Sequence, residues 1–218
     1  MARPRAADHD DKRRAILDRS AVLFAARGYD RTSLSAIAEA CAMSKALLYH
    51  YYADKSELLF DIVRGHLQHL LDVTAFESVC SPREHLIRLA TALLDSYRHA
   101  DGKHHVQLNQ MRLLAPDRQA ALKEMERTLV RRFAAAVAPC VPEAARERLT
   151  PLTMSLFGML NWNHLWFRED GPISRAEYAR MAVVLLLDGA GGLAASDPAR
   201  AAAERVAERR TPRAGAAS

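Results

Sequence analysis

Residues 32–59 read "TSLSAIAEACAMSKALLYHYYADKSELL", and this stretch decides the fold. Ser33 precedes the helical run "LSAIAEA" and Ser44 precedes "KALLYHY". A serine oxygen at such a position accepts one of the N–H groups that the first turn of a helix leaves without a partner. Two short capped helices joined by the tight turn "CAM" make a helix-turn-helix, a motif whose second helix can enter the major groove of DNA. The tyrosines point the same way. Tyr49, Tyr51 and Tyr52 are half of the six in the chain and crowd beside Lys45, His50 and Lys55. Aromatics that serve a core are spread at helical spacing, so this crowding marks a surface that meets a partner.

Each residue of the second helix has a chemistry suited to duplex DNA. The Ser44 cap leaves free N–H groups and a partial positive charge at the helix start, and with the Lys45 ammonium these suit a backbone phosphate. Ala46 and Leu47 are compact and uncharged and can meet base edges such as a thymine methyl. Tyr49 and His50 can donate to phosphates, and Lys55 adds a charge at the next helix start. Phosphate contacts fix register, which leaves few residues for reading sequence.

Outward from this stretch the apolar spacing is helical nearly everywhere, with no sustained strand alternation. Ile16, Leu17, Ser20, Leu23 and Phe24 form one stripe that Gly28 ends, which predicts a helix over 9–27. Asp54 and Glu57 form a capping box ahead of Leu58, Leu59, Ile62, Val63, Leu67, Leu70 and Leu71. "SPRE" at 81–84 and "SRAE" at 174–177 repeat the device, and "GAGG" at 189–192 is expected to stop the last helix. Between them lie "HHVQLNQMRLL" at 104–114, a helix after Pro116, and a long helix over about 150–168 containing "NWNHLW". The expectation is an all-α chain of about nine helices. Residues 1–53 form the helix-turn-helix domain, 54–193 a larger helical domain, and 194–218, rich in Ala, Arg and Glu, a flexible tail.

Composition bounds the remaining possibilities. Lys+Arg 31 against Asp+Glu 26 leaves +5, which tolerates an anionic partner without demanding one. Cys41, Cys80 and Cys140 are odd in number, far apart and without a C-x-x-C, so neither a disulfide framework nor a zinc knuckle is indicated and a reducing cytoplasm fits. The longest strongly apolar run, "MAVVLLL" at 181–187, is far below membrane-spanning length, and no signal-peptide core follows the N-terminus. No G-x-S-x-G, Gly-rich phosphate loop or Cys–His signature appears, so neither an enzyme nor a cofactor is expected. His66 and His69 have metal-ligand spacing but no third ligand, which favours polar or pocket-lining histidines and no metal. "KHH" at 103–105, with His105, and Asn109 are candidates for a ligand site, a solvated helix start being the equal alternative there, and so are Trp162 and Trp166 with Asn163, and His66. For the two tryptophans, a place in the core or at a dimer interface stays open beside a ligand wall.

Residues 32–59 resemble the DNA-binding domain of the tetracycline-repressor family, TetR/AcrR, with its pattern T-S/T-hydrophobic-x-x-I-A-x-x-A-G-V-S-K-G-x-L-Y-x-Y-F-x-x-K-x-x-L. By position, the resemblance implies that Thr32 or Ser33, Ser44, Lys45, Leu47, Tyr49, His50 and Lys55 lie at the DNA, with Ile37, Ala38, Leu48 and Tyr52 in a small core. Two residues depart from the pattern. Ala42 replaces the turn glycine, at about 1 kcal/mol if the position is left-handed, and Ala46 adds a methyl at the groove. The family fold implied is three N-terminal helices that bind DNA and a remainder that binds ligand and dimerises. "KHHVQLNQMRLL" and "MSLFGMLNWNHLWFREDGPISRAEY" resemble a branch of the family associated with breakdown of acyl-CoA, aromatic or steroid compounds. The expected protein is therefore a repressor that binds a palindromic double-stranded operator as a homodimer and is released by a small organic effector such as a CoA thioester. A dimeric DNA-binding regulator that answers to no small molecule is the other reading. The dimer is expected through the last two long helices, whose sequences are apolar around most of their circumference.

Overall fold

The cap signals set the helix starts. In a computed structural model, which describes residues 5–77, 80–98 and 100–195, Ser33 Oγ accepts from Ala36 N–H and Ser44 Oγ from Leu47 N–H, both at 3.1 Å. Asp54 accepts from Glu57 N–H at 2.7 Å and Glu57 reaches back to the N–H of Ala53, one residue before the cap, at 2.9 Å, a variant of the reciprocal cap. Ser174 and Glu177 close the capping box proper at the last helix, at 3.2 and 2.7 Å.

The helices are α1 (Arg5–Arg27), α2 (Leu34–Ala40), α3 (Lys45–Tyr51), α4 (Lys55–Val73), α5 (Pro82–Tyr97), α6 (Asp101–Gln110), α7 (Pro116–Val137), α8 (Leu149–Asn161) and α9 (Arg175–Ala195). Short 3-10 turns occupy Met111–Leu113, Ala138–Cys140, Glu143–Arg148 and Trp162–Leu165. Among the described residues there is no strand. Gly28, at φ 83, ends the first helix, with its N–H donating to Phe24 O at 3.0 Å.

Three expectations need correction. The helix written over 150–168 is regular only to Asn161 and then tightens into the 3-10 turn Trp162–Leu165. That turn carries Asn163 inward, where its Oδ1 accepts from the buried Arg175 guanidinium at 3.1 Å. The helix written over 104–114 likewise gives way to a 3-10 turn at Met111. "GAGG" does not stop the last helix, because α9 continues to Ala195, held by Leu186, Leu187 and Ala190 in the core. Packing there outweighs the cost of about 1 kcal/mol for each helical glycine. Ala194 and Ala195 thus belong to α9, and the rest of the expected tail lies outside the described residues.

α4 is the central element, packed by α1, α5, α6 and α7. Its Leu58, Leu59, Ile62 and Leu67 join Ile16, Phe24, Ile37, Leu48 and Tyr52 in an N-terminal core that also takes in Val106 of α6 and Leu122 of α7. Its Leu70 joins the second core, formed by α5, α7, α8 and α9 around Leu93, Phe133, Leu156 and Val183. At about 1.5 Å per residue, the 19 residues of α4 span about 28 Å and run from one core into the other.

Candidate nucleic-acid interface and effector chamber

α3 has seven residues, and only Leu48 is fully buried beneath it. Ile37 and Ala38 of α2 and Tyr52 at the exit of α3 complete the small core beneath the motif. Lys45, Ala46, Leu47, Tyr49 and His50 face outward together. Leu47 is 39% and Tyr49 47% exposed, two large side chains adjacent on the outward face of one short helix. The Lys45 ammonium lies 5.8 Å from the Tyr49 ring centroid, so cation and phenol present one continuous surface. Ser33 and Ser44 stand exposed at the helix starts with their caps formed. The turn between the helices bends through Ala42 at φ 52, the one non-glycine residue with positive φ among the described residues.

Two expected DNA contacts are placed differently. Thr32 is fully buried, and its hydroxyl donates to Gly28 O at 2.9 Å, so it anchors the α1–α2 corner and Ser33 is the residue left at the surface. Lys55 is half-buried: its Nζ donates to Tyr29 O at 2.9 Å and sits 4.4 Å from the Tyr29 ring centroid, tying the start of α4 to that same corner.

Arg13 was not singled out by sequence, yet it holds the exit of α3. Its Nε donates to the Tyr52 hydroxyl at 3.1 Å and its Nη2 pairs with the buried Asp61 of α4. Burial pushes the Tyr52 phenol up to about 12, with Arg13 opposing that rise, so the phenol is protonated and accepts from the guanidinium. Recognition helix, α1 and α4 are thereby joined through one arginine. A groove of about 560 Å³ between α1, α4 and α7 lies over this arrangement. Its floor is Arg13, Asp61 and Arg64, already paired with one another, and no unpartnered buried polar group faces it.

The second site lies in the larger core. An inner chamber of about 200 Å³ is walled by Leu70 of α4, Tyr97 of α5, His104 and Gln107 of α6, Glu126 of α7 and Phe157 of α8, among others. It shares Leu108, Met154, Phe157 and Asn161 with an outer pocket of about 440 Å³ that reaches the surface at Trp162 and Leu165. His104 stacks on Tyr97, with centroids 3.9 Å apart, and His66 lies behind it at 5.7 Å. His66 has neither ring nitrogen in hydrogen-bond geometry with the protein, and His104 has only a loose approach to the Asn161 carbonyl, which His164 Nδ1 already meets at 2.7 Å. Burial lowers His66 to about 3, reinforced by His104, and lowers His104 to about 4, with the nearby Asn161 carbonyl offsetting part of the effect. Both are neutral at neutral pH. The Tyr97 hydroxyl donates to Asn161 Oδ1 at 2.8 Å, and Gln107 Nε2 donates to Glu126 Oε1 at 2.8 Å, which leaves Gln107 Oε1 free.

Of the residues expected to line a ligand site, His105, Asn109 and Trp162 line the outer pocket, and His66 stands one layer behind the inner chamber. Trp166 instead packs edge-on against Tyr178 at 4.9 Å, and Asn163 is committed to Arg175. The tryptophans do not share a helical stripe, because the chain between them is a 3-10 turn. His69, exposed, is turned away from His66, and no cluster of metal-ligating side chains occurs among the described residues. His104 belongs to the "KHH" run expected at a ligand pocket, and Gln107 shares its face of α6 at i, i+3, whereas Tyr97 and Glu126 carry no local signal of a site.

An exposed capped recognition helix on a small head, joined by one long helix to a chambered helical body, defines a DNA-binding regulator of the helix-turn-helix class. Comparison with known proteins specifies it further. Residues 16–62 match the family model described as bacterial regulatory proteins, tetR family, and residues 79–190 that described as tetracyclin repressor-like, C-terminal domain. The chain belongs to the TetR family of transcriptional regulators. It is 24% identical over 192 residues to the transcriptional repressor KstR2 of Mycobacterium tuberculosis H37Rv, covering 83% of this chain and 93% of that protein. Among solved structures, a TetR-family regulator from Bordetella parapertussis 12822 is 32% identical with a TM-score of 0.73, covering 81% of this chain and 94% of that one. AibR, solved in complex with isovaleryl coenzyme A and operator DNA, is 26% identical with a TM-score of 0.69, covering 81% and 98%. No helix among the described residues is long and apolar enough to cross a membrane.

Proposed function

We propose that this regulator is a ligand-released repressor that binds a near-palindromic duplex operator as a homodimer in the cytoplasm. The observation that carries this reading is the position of α4. Its first turns are tied to the recognition helix through Arg13, Tyr52 and Asp61, and its Leu70 forms part of the chamber wall. A ligand that wedges the chamber therefore acts on the helix that carries the reading head. The likeness to AibR supports a CoA thioester of an aliphatic or ring-containing acid as effector class.

Dimerisation is supported by the outer faces of the last elements. Met154, Leu165, Met181 and Leu185 are all exposed, Leu165 at 60% and Leu185 at 59%. Apolar side chains in such number on neighbouring elements fit a four-helix interface between two copies. Two-fold symmetry would then set two α3 helices in successive major grooves about 34 Å apart. Release is a population shift, so the effector must bind the DNA-incompetent arrangement more tightly, by about 1.4 kcal/mol for each tenfold loss of operator affinity.

The experiment is selection of a duplex from a random library, followed by fluorescence anisotropy across salt and across a panel of acyl-CoAs and free acids. Lys45→Ala should weaken binding to all sequences and reduce the salt slope by about 1 for each phosphate it no longer neutralises, whereas Leu47 substitutions should change sequence preference. An unchanged affinity and slope for Lys45→Ala would remove α3 from the interface. Failure of every compound to release the operator would leave a regulator that answers to no small molecule.

A further inference from the structure

We propose that the inner chamber receives the uncharged, oxygen-bearing end of an organic effector, a hydroxyl or ketone on an aliphatic or alicyclic skeleton, with His104 as its hydrogen-bonding anchor. This rests on the effector-released reading above and specifies which part of the effector the chamber recognises. At about 200 Å³ the chamber is smaller than the several hundred Å³ of a typical small-molecule site, so it takes one end of a ligand while the rest occupies the outer pocket.

The polar inventory selects the chemistry. A neutral imidazole offers one N–H donor and one nitrogen acceptor. His104, 1% exposed, lines the chamber with one ring nitrogen turned toward the Asn161 carbonyl, which already accepts from His164, and no protein group in strict hydrogen-bond geometry with either nitrogen; His66, 2% exposed and without any such neighbour, lies directly behind it. Buried polar groups in folded proteins are almost always hydrogen-bonded, and leaving them unpaired destabilises the fold, so two adjacent exceptions beside a cavity call for a partner from outside the chain. Gln107 adds a free acceptor, because its amide nitrogen is held by Glu126. The Tyr97 hydroxyl is already directed at Asn161, and its ring fixes the plane of His104 by stacking on it. The chamber thus presents one donor and two acceptors close together. A hydroxyl, which both accepts and donates, satisfies more of this set than a ketone, which only accepts.

The same walls exclude an anion. No lysine or arginine lines the chamber, the Glu126 carboxylate stands in its wall, and Leu70, Leu129 and Phe157 make the surroundings apolar. A carboxylate there would be desolvated without a counter-charge and would face another carboxylate. A CoA thioester meets the condition when its acyl end, inserted first, carries the hydroxyl or keto group and its charged portion stays outside.

The test uses the full-length protein without DNA, labelled with 15N in its histidine rings, and four probes: cyclohexanol, cyclohexanone, methylcyclohexane and cyclohexanecarboxylate. Cyclohexanol and cyclohexanone should shift the His104 ring nitrogens at neutral pH, and the carboxylate should not. Cyclohexanol should bind about three- to tenfold more tightly than methylcyclohexane, the equivalent of one net hydrogen bond. His104→Phe should bring that ratio to about 1 without lowering the thermal midpoint, because an unpartnered polar ring gives way to an apolar one of similar shape. His104→Gln, which keeps a donor and an acceptor, should retain the preference and serves should the phenylalanine variant misfold. Equal binding of cyclohexanol and methylcyclohexane, or a carboxylate that binds and converts His104 to imidazolium, would overturn the assignment. If the alcohol is discriminated but no acyl-CoA releases the operator, the chamber assignment stands and the effector-released reading fails. Release by acyl-CoAs with His104 silent gives the reverse.

Discussion

At the amino end of α4, the caps and charges around the recognition helix each have a partner or face solvent, whereas toward its carboxyl end His66 and His104 are buried with neither ring nitrogen in hydrogen-bond geometry. The helix starts of the head are built from satisfied local interactions, and Ser20 Oγ of α1 is the buried side-chain atom within it that has no protein partner among the described residues. The chamber buries polar rings inside an apolar core, where they need a hydrogen-bond partner from outside the chain, water or ligand, to avoid a stability cost. One helix that carries both conditions fits the proposed ligand release, with the candidate reading head at one end and the chamber at the other. Arg13 is the physical link, since it is the side chain that joins Tyr52 of the head to Asp61 of α4.

The largest effect expected from this contrast is in the dependence of stability on pH. In the unfolded chain the two histidines titrate near the ordinary 6.5, but in the folded protein burial holds them at about 3 and 4. Between those values the unfolded state binds more protons than the folded one. The stability present above pH 6.5 is therefore lost as pH falls from 6.5 toward 4, by up to about 1.4 kcal/mol per pH unit for each histidine. Urea unfolding at pH 7 and pH 5 should show the loss, and His104→Phe should remove about half of it. A pH dependence untouched by that substitution would end the contrast between the two ends of α4.

A smaller effect tests the link. Arg13→Met leaves the Tyr52 phenol without its donor and leaves Asp61 with the Tyr52 hydroxyl and the 3.4 Å contact to Arg64. Stability should drop by about 1–3 kcal/mol, the range for stranding buried polar groups. Effector-driven operator release should also weaken, although every exposed residue of α3 is intact. Full release by this variant, with operator affinity measured with and without effector, would route the coupling through other contacts of α4.

The smallest effect sharpens the description of the head. Ala42 holds a left-handed backbone at φ 52 while its methyl is exposed, so Ala42→Gly removes strain and sacrifices little packing. A gain of about 1 kcal/mol is expected in the urea midpoint. A loss instead would mean that flexibility added to the unfolded chain outweighs the strain.

How much of this was legible before folding depends on the range over which each interaction acts. Ser33, Ser44, Asp54, Ser81 and Ser174 announce helix starts because a cap joins residues three apart, and all five caps form. The outward set Lys45, Ala46, Leu47, Tyr49 and His50 follows from the same local geometry, since a seven-residue helix with one buried side has few other ways to place them. The strain at Ala42 follows from the family resemblance, whose pattern has glycine at that turn position. Lys55 was harder to place, because it is held by the Tyr29 carbonyl 26 positions away, whereas Thr32 bonds back to Gly28 four positions earlier and only its burial depends on packing.

What the sequence by itself determined is therefore the all-helical order and the reading head, where hydrogen-bond partners lie three or four residues apart and apolar periodicity names the buried face. Tertiary structure alone decided where α8 ends, that α9 runs through its glycines, and that His66, Tyr97, His104, Gln107 and Glu126 converge on one chamber. Those outcomes hang on contacts between distant residues: Tyr97 with Asn161 across 64 positions, Arg175 with Leu94 across 81, Gln110 with Phe24 across 86. No propensity or spacing rule reaches that far, because such pairs meet only after the helices have packed and set which faces touch.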